Sequence, residues 1–399
     1  MKVALISSSY HPYYRGGGEY SVKKLAEGLA TQGHIVTVIT AFHNAEQETV
    51  EGEAEYRIKH PNIYWSYTSD QQPAYLRLIW HLLEGYNIRV KKPLQHLINQ
   101  IKPDIVHIRN VEDFSPYACK VAYNLGIPVV VTLNSYTWLC PRATMFRNGQ
   151  NCSRQCLDCK LITYSKKIAS QYVNAVVGVS RFMVNRHTQY SYFPKASQHV
   201  IYTSMESSFT KLAFITNNYK TFGFIGRIHP SKGVLEIIKA FINANREKRH
   251  RLLIAGTGSD DYIKRCQELA QYSSEIVFLG KVDIDDFYPK VDIVVINSQW
   301  HEPFPRVLVE AYAYGRPVIA TDTGGIPEMV SKETGYIVSH KQKKQLERTL
   351  MHFMEMVDKK LLSMQENVKA FFTQNMHNEF QSYSKLYESL SLQKGKQLK

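Results

Sequence analysis

The stretch Val291–Glu310, VDIVVINSQWHEPFPRVLVE, decides the fold. Its first six residues are apolar and β-branched apart from Asp292, the pattern of a short strand buried on both faces. A polar turn follows, and from Val307 the apolar residues fall at helical spacing. A buried strand passing through a polar turn into a helix is one step of a parallel α/β sheet. Glu302 precedes the helix and Glu310 lies about two turns along it, roughly 10–12 Å away. That separation suits one carboxylate on a sugar ring and the other on a ribose, with a diphosphate between them, since carboxylates accept from vicinal hydroxyls. Taken alone, two surface acids on a solvated helix account for the spacing better.

The same step recurs on either side. Thr221–Ile225 reads as a strand, followed by Gly226, Arg227, His229, Pro230, Ser231, Lys232 and Gly233, then by a helix over Lys232–Asn245. Two cations at a helix start form a diphosphate site that needs no metal. A basic surface turn is the plainer account of that loop alone. Further strands are expected at Arg251–Ala255, Ile276–Leu279, Pro317–Ala320 and Tyr336–Val338.

The first half alternates likewise, with strands at Val3–Ser7, Ile35–Thr40, Asp104–Ile108, Pro128–Leu133, Ala175–Val179 and Val200–Tyr202. Its first turn, Arg15-Gly16-Gly17-Gly18-Glu19, allows close backbone approach to a ligand. It lacks the third spaced glycine and the acidic end of the second strand that mark NAD and FAD sites. The chain of 399 residues exceeds a single core. The alternation divides it into residues 1–206, a polar linker 207–220, a second domain 221–375, and a final helix 376–399 packing back on the first.

A net charge of +14 favours anionic partners. No zinc-finger spacing or aromatic RNA-binding motif accompanies it, so a phosphate-binding or membrane-facing enzyme fits better than a nucleic-acid binder. No run approaches the ~18 apolar residues that span a bilayer. The N-terminus reads as a buried strand rather than a signal peptide, which predicts a cytoplasmic protein.

The three turns, in this order, resemble glycosyltransferase family 4 of the GT-B fold. Lys102-Pro103-Asp104-Ile105-Val106-His107, Gly315-Arg316-Pro317-Val318-Ile319-Ala320 and Gly324-Gly325-Ile326-Pro327-Glu328 extend the likeness over nearly the whole chain. The resemblance implies two Rossmann-like parallel-sheet domains facing a deep cleft, and a retaining transfer from a nucleotide-diphosphate sugar. The acceptor is expected to be a saccharide, or a lipid-linked saccharide met at the inner face of the membrane if the basic amphipathic stretch Tyr75–Ile101 lies on it. Glu302 would hold the donor sugar, Glu310 the ribose, and Arg227 and Lys232 the diphosphate. The backbone at Phe304, Arg306 and Val307 would line sugar and phosphate, with Gly16 and Gly17 near the phosphates, and Leu279–Val282 would edge the base. Catalysis would need no cofactor. Asn134 stands where the family usually has His; it can hydrogen-bond a sugar hydroxyl but carries no proton near neutral pH. Pro305 and Thr203-Ser204 also depart from the pattern. A non-catalytic nucleotide-sugar-binding partner protein and a nucleotide-sugar epimerase are the alternatives.

Of six cysteines, Cys119 and Cys266 are isolated, while Cys140, Cys152, Cys156 and Cys159 cluster after Asn134. Four thiolates suffice for a structural zinc, although the spacing matches no common zinc module and reduced thiols on a loop fit equally. Tyr75–Ile101 places Leu76, Ile79, Trp80, Leu83 and Tyr86 on one helical stripe beside Arg77, Arg89, Lys91 and Lys92. An interfacial helix on an anionic membrane and an ordinary packing helix are both consistent with it.

Overall fold

The computed structural model describes residues 1–13, 17–44, 46–50, 53–209, 219–376 and 378–397. They form two compact units. The first comprises Met1–Met145, Ser153–Thr203 and Asn378–Lys399; the second comprises Phe146–Cys152 and Ser204–His377.

The first unit is built on β1 (Lys2–Ile6), β2 (Ile35–Phe42), β3 (Glu46–Val50), β4 (Glu53–Lys59), β5 (Ile105–Ile108) and β6 (Val129–Leu133). A small hairpin of β7 (Phe146–Arg147) and β8 (Gln150–Asn151) falls to the second unit, and β9 (Ala175–Gly178) and β10 (Ser197–Val200) complete the first. The eight-stranded sheet runs β10-β9-β6-β5-β1-β2-β4-β3. Only the β3–β4 pair is antiparallel. That pair was not expected: its sequence is dense in Glu, which hides the apolar signal of a strand. The last strand lies at Ser197–Val200 rather than Val200–Tyr202.

The second unit carries β11 (Thr221–Ile225), β12 (Arg251–Ala255), β13 (Ile276–Gly280), β14 (Ile293–Ile296), β15 (Val318–Thr321) and β16 (Gly335–Val338). All are parallel, in the order β13-β12-β11-β14-β15-β16. This is the Rossmann order, and it reverses between β11 and β14. Helix Val234–Ala244 buries Val234, Ile237, Ile238 and Phe241, one face at helical spacing, against Phe222 and Ile254. Each such side chain contributes about 2 kcal/mol by leaving water.

In the first unit, the final helix Glu379–Gln397 joins the core through Tyr383, Leu386 and Tyr387, beside Val3, Leu25 and Ile105. Two histidines pin it. His107 bridges Thr132 Oγ1 and the Tyr387 hydroxyl, both at 2.7 Å, and His34 Nε2 lies 2.6 Å from Ser384 Oγ.

The stretch Tyr75–Ile101 is two helices, Ala74–Gly85 and Lys91–Ile101, joined through a 3-10 turn at Ile88–Val90. Trp80 turns inward, its Nε1 donating to the Tyr64 carbonyl at 3.0 Å. Tyr75, Leu78, Ile79, Leu82, Leu83 and Tyr86 face out instead. No helix among the described residues is long and apolar enough to cross a membrane.

Candidate active site

The reversal of strand order puts the carboxyl ends of β11 and β14 side by side in the second unit. There a parallel sheet leaves a crevice for ligands. The loop after β11 carries exposed Arg227, then a 3-10 turn at Pro230–Lys232. Burial, then the charges of Arg227 and Lys232, hold the His229 imidazole below its ordinary pKa of 6.5, so the loop is electropositive. Gly233 follows at φ +64°; a Cβ there would lie 2.4 Å from Asn297 Nδ2, so only glycine lets this turn close on the β14 loop.

Glu302 is buried on that second loop. Its Oε1 accepts from Ser298 Oγ at 2.7 Å and Trp300 Nε1 at 2.9 Å, and it is ion-paired with Lys232 Nζ. Lys232 also lies 5.7 Å from the Trp300 ring centroid. Glu302 Oε2 accepts no hydrogen bond among the described residues, which leaves a fixed carboxylate oxygen for a ligand. The loop is tied down on several sides. Gly325 N–H donates to the Glu302 carbonyl at 2.8 Å, Gly324 N–H to His301 Nδ1 at 3.2 Å, and Gln299 N–H to the Ser231 carbonyl at 2.7 Å.

Helix Arg306–Ala313 starts at once after Pro305, and its first N–H groups point back along the chain with no intrahelical partner. Phe304, Arg306 and Val307 therefore line this helix start. Glu310, one turn further in, is buried between Tyr288 and Arg306: the Tyr288 hydroxyl donates to Oε2 at 3.0 Å and Arg306 Nη2 to Oε1 at 3.1 Å. Burial, reinforced by the Glu310 charge, pushes the Tyr288 phenol well above its usual range, so it stays a donor.

In the first unit, Asn134 is half-buried just past β6 and Gly17 opens helix Gly17–Thr31; Gly16 lies outside the described residues. At the carboxyl ends of β1 and β5, Asn110 Nδ2 donates to Ser8 Oγ at 3.0 Å. Reading the sequence missed Asn151 altogether. Its side chain donates to the Gln299 carbonyl at 2.8 Å and accepts from His301 N–H at 2.7 Å, bracing the loop that carries Glu302. Nothing in the local pattern of a polar hairpin marks that role. Tyr288 was missed for a like reason, an isolated aromatic before a strand.

The family described as Glycosyltransferase Family 4 matches residues 15–208, and that described as Glycosyl transferases group 1 matches residues 209–371. An uncharacterized 42.6 kDa protein in the cps region of Klebsiella pneumoniae is 32% identical over 333 residues, 82% of this chain and 87% of that protein. The chain belongs to glycosyltransferase family 4. It is therefore a transferase of the GT-B fold, akin to enzymes of glycan and lipopolysaccharide synthesis. One of these, the lipopolysaccharide 1,2-N-acetylglucosaminetransferase of Salmonella typhimurium, is 33% identical over 129 residues, 28% of this chain and 33% of its own. The fold of the family 4 chain is that of Anabaena Alr3699/HepE, solved in complex with UDP and glucose. The TM-score is 0.67 at 16% identity, covering 98% of this chain and all of that one.

Proposed function

We propose that this glycosyltransferase moves a sugar, with retention, from a nucleotide-diphosphate sugar to a hydroxyl of a lipid-linked saccharide at an anionic membrane face. The observation that carries the donor half is the Lys232–Glu302 pair at the switch point of the second sheet, with Arg227 on the same loop as Lys232. Glu302 Oε2 would accept from a sugar hydroxyl. The cations and the start of helix Arg306–Ala313 would face the diphosphate, and Glu310 the ribose. As the bond from the anomeric carbon to the terminal phosphate oxygen breaks, charge grows on the leaving diphosphate. Arg227 and Lys232, fixed in advance, stabilise that charge. The acceptor oxygen bonds the same face of the anomeric carbon, and its proton passes to the departing phosphate. Fixed cations then do the work that a metal ion does elsewhere, and the reaction proceeds without one. UDP with glucose in the Anabaena protein supports a sugar nucleotide as donor.

The acceptor half rests on the first unit's surface. Helix Ala74–Gly85 presents Leu78 and Leu82 outward with Tyr86 just past its end, and the helices Leu157–Ile162 and Tyr164–Ala169 that pack on it add Leu157, Leu161 and Tyr164. Leu157 and Leu161 are each 78% exposed. Exposed Arg77, Arg89, Lys91, Lys92, Lys160 and Lys167 accompany this apolar patch. Apolar side chains ringed by cations fit an anionic bilayer rather than an acidic protein or open water.

The test is turnover with UDP-, GDP-, ADP- and dTDP-sugars, chosen by a thermal-shift screen, with and without lipid-linked saccharide. Acceptor-dependent release of nucleoside diphosphate and a glycosylated lipid are expected, with rates unchanged by EDTA. Binding without turnover would favour the partner-protein reading, and donor interconversion without acceptor the epimerase.

A further inference from the structure

The loop after β6 folds back on itself in a way that sugar transfer does not require. Its first part is buried: Tyr136, Trp138, Leu139 and Cys140 are all inside the first unit. The buried Cys140 thiol lies next to that of Cys159. Just after it, Ala143 and Met145 adopt φ of +57° and +49°. Non-glycine residues hold such angles at a cost, so the turn is set by its surroundings.

Cys156 and Cys159 approach from the other end of the loop. Cys156 stands just before helix Leu157–Ile162 and Cys159 lies in its first turn. Gln155 fixes this turn, its Nε2 donating to the Leu139 carbonyl and Thr163 Oγ1 at 2.9 Å each. Thr163 Oγ1 in turn donates to the Cys159 carbonyl at 2.7 Å. The ligand atoms of Cys156, Asp158 and Cys159 all lie within 4.8 Å of one another. In a tetrahedral thiolate site with zinc–sulfur bonds of about 2.3 Å, neighbouring sulfurs sit about 3.8 Å apart, so small side-chain rotations would bring these atoms to one ion.

The geometry points to a structural zinc(II) site formed by the thiolates of Cys140, Cys156 and Cys159, with the Asp158 carboxylate in the fourth position. Soft thiolates favour zinc over the hard divalent cations. Cys152 belongs with the hairpin of the second unit and is not counted among the ligands. The ion would anchor the helix that bears Leu157 and Leu161. A Cys156–Cys159 disulfide is the competing chemistry, but it would leave the buried Cys140 thiol beside it unused.

The full chain, purified with reductant and without chelator, is expected to carry about one zinc per molecule by elemental analysis. Exchange for cobalt(II) is expected to give a thiolate-to-metal charge-transfer band and the visible absorption of a tetrahedral ion. Cys140→Ser and Cys159→Ser should each abolish stoichiometric zinc, and Asp158→Asn should weaken it against a competing chelator by about tenfold or more. Cys119→Ser, at a buried thiol elsewhere in the same unit, should keep it. Because the serine variants risk misfolding, the cobalt spectrum of the wild-type chain decides the matter. Folded wild-type protein that takes up neither ion, or that holds a Cys156–Cys159 disulfide under these reducing conditions, would overturn the site.

Discussion

Lys232 and Glu302, 70 residues apart in sequence, meet as an ion pair across the two central strands of the second sheet. The carboxylate is almost fully buried while the ammonium is 30% exposed. Two further donors, Ser298 and Trp300, fix the same oxygen. Such a carboxylate has one orientation and one oxygen left to offer, which suits recognition of a hydroxyl. Removing Lys232 does two things at once, since it strips a cation from the leaving group and leaves Glu302 buried without its counter-charge. Lys232→Ala is therefore expected to lower kcat about 100- to 1000-fold and to lower the Tm as well. In the double variant Lys232→Ala, Glu302→Gln the Tm should recover while the rate does not. Recovery of both, read from initial rates and thermal melts together, would mean that Lys232 acts only as the partner of Glu302.

Arg227 separates the two effects. It is exposed and has no ion-pair partner among the described residues. Arg227→Ala should cost about 100-fold or more in kcat with the Tm within a degree or so of wild type, because a surface cation adds little to folding. Steady-state kinetics beside a melting curve checks this, and a wild-type rate would remove Arg227 from the diphosphate site.

Glu310 is held by Tyr288 and Arg306 rather than left open. Its replacement by Gln keeps the shape but weakens acceptance from a ribose hydroxyl, an interaction present in ground and transition states alike. The expected outcome is a rise in donor KM of about tenfold with kcat little changed. A fall in kcat at constant KM would place Glu310 in the chemistry instead.

The second unit was the more legible half. Its strands are continuous apolar runs and its site residues follow them directly, so Thr221–Ile225 and Arg251–Ala255 could be bounded to the residue. What the chain does between strands was harder. The β3–β4 pair hides behind glutamates, and Asn151 acts through a contact with residues about 150 positions away. The outward face of Ala74–Gly85 was legible only in part, since Ile79, Leu83 and Tyr86 of the expected stripe are exposed while Trp80 is buried. A helix with apolar residues on both sides gives no periodic sign of which side is covered, and Trp80 settles it only by bonding the Tyr64 carbonyl.

The final helix gives the first unit a pH dependence of predictable sign. His107 is buried between Thr132, Tyr383 and Tyr387, and burial, then the nearby Arg109 charge, holds its pKa well below the ordinary 6.5. His34, at the same helix, is shifted the same way, chiefly by burial. Below pH 6.5 the unfolded chain binds protons that the folded one refuses, so folded stability is full above that value and falls as pH drops. Urea unfolding at pH 7.5 and pH 5.5 should show the lower midpoint at acid pH. His107→Gln should be less stable at both yet flatten the difference, and an unchanged slope in that variant would show that other groups set it.

The apolar patch makes the last prediction, and it separates two meanings of exposed leucine. Leu78 lies on helix Ala74–Gly85 and Leu161 on helix Leu157–Ile162, about 80 residues further on, yet these helices pack together. At Gly85 a Cβ would lie 2.6 Å from Ser165 Oγ on the adjoining helix Tyr164–Ala169, so glycine permits the close approach of that helix. If the patch enters a bilayer interface, each leucine contributes by burial in lipid while Lys160, Lys167, Arg77 and Arg89 add about 1 kcal/mol apiece on an anionic surface. The protein should then co-sediment with vesicles containing phosphatidylglycerol, less so with phosphatidylcholine alone, and bind more weakly as salt rises and the Debye length shrinks. Leu78→Glu and Leu161→Glu should each reduce binding several-fold, and the pair should abolish it. Neither should lower the Tm, because both side chains already stand in water when the protein is free. Transfer to a soluble saccharide should be unaffected in these variants, while transfer to a lipid-linked one should fall with vesicle binding. Wild-type protein that ignores both vesicle types would leave the patch to another partner and the acceptor assignment without its support.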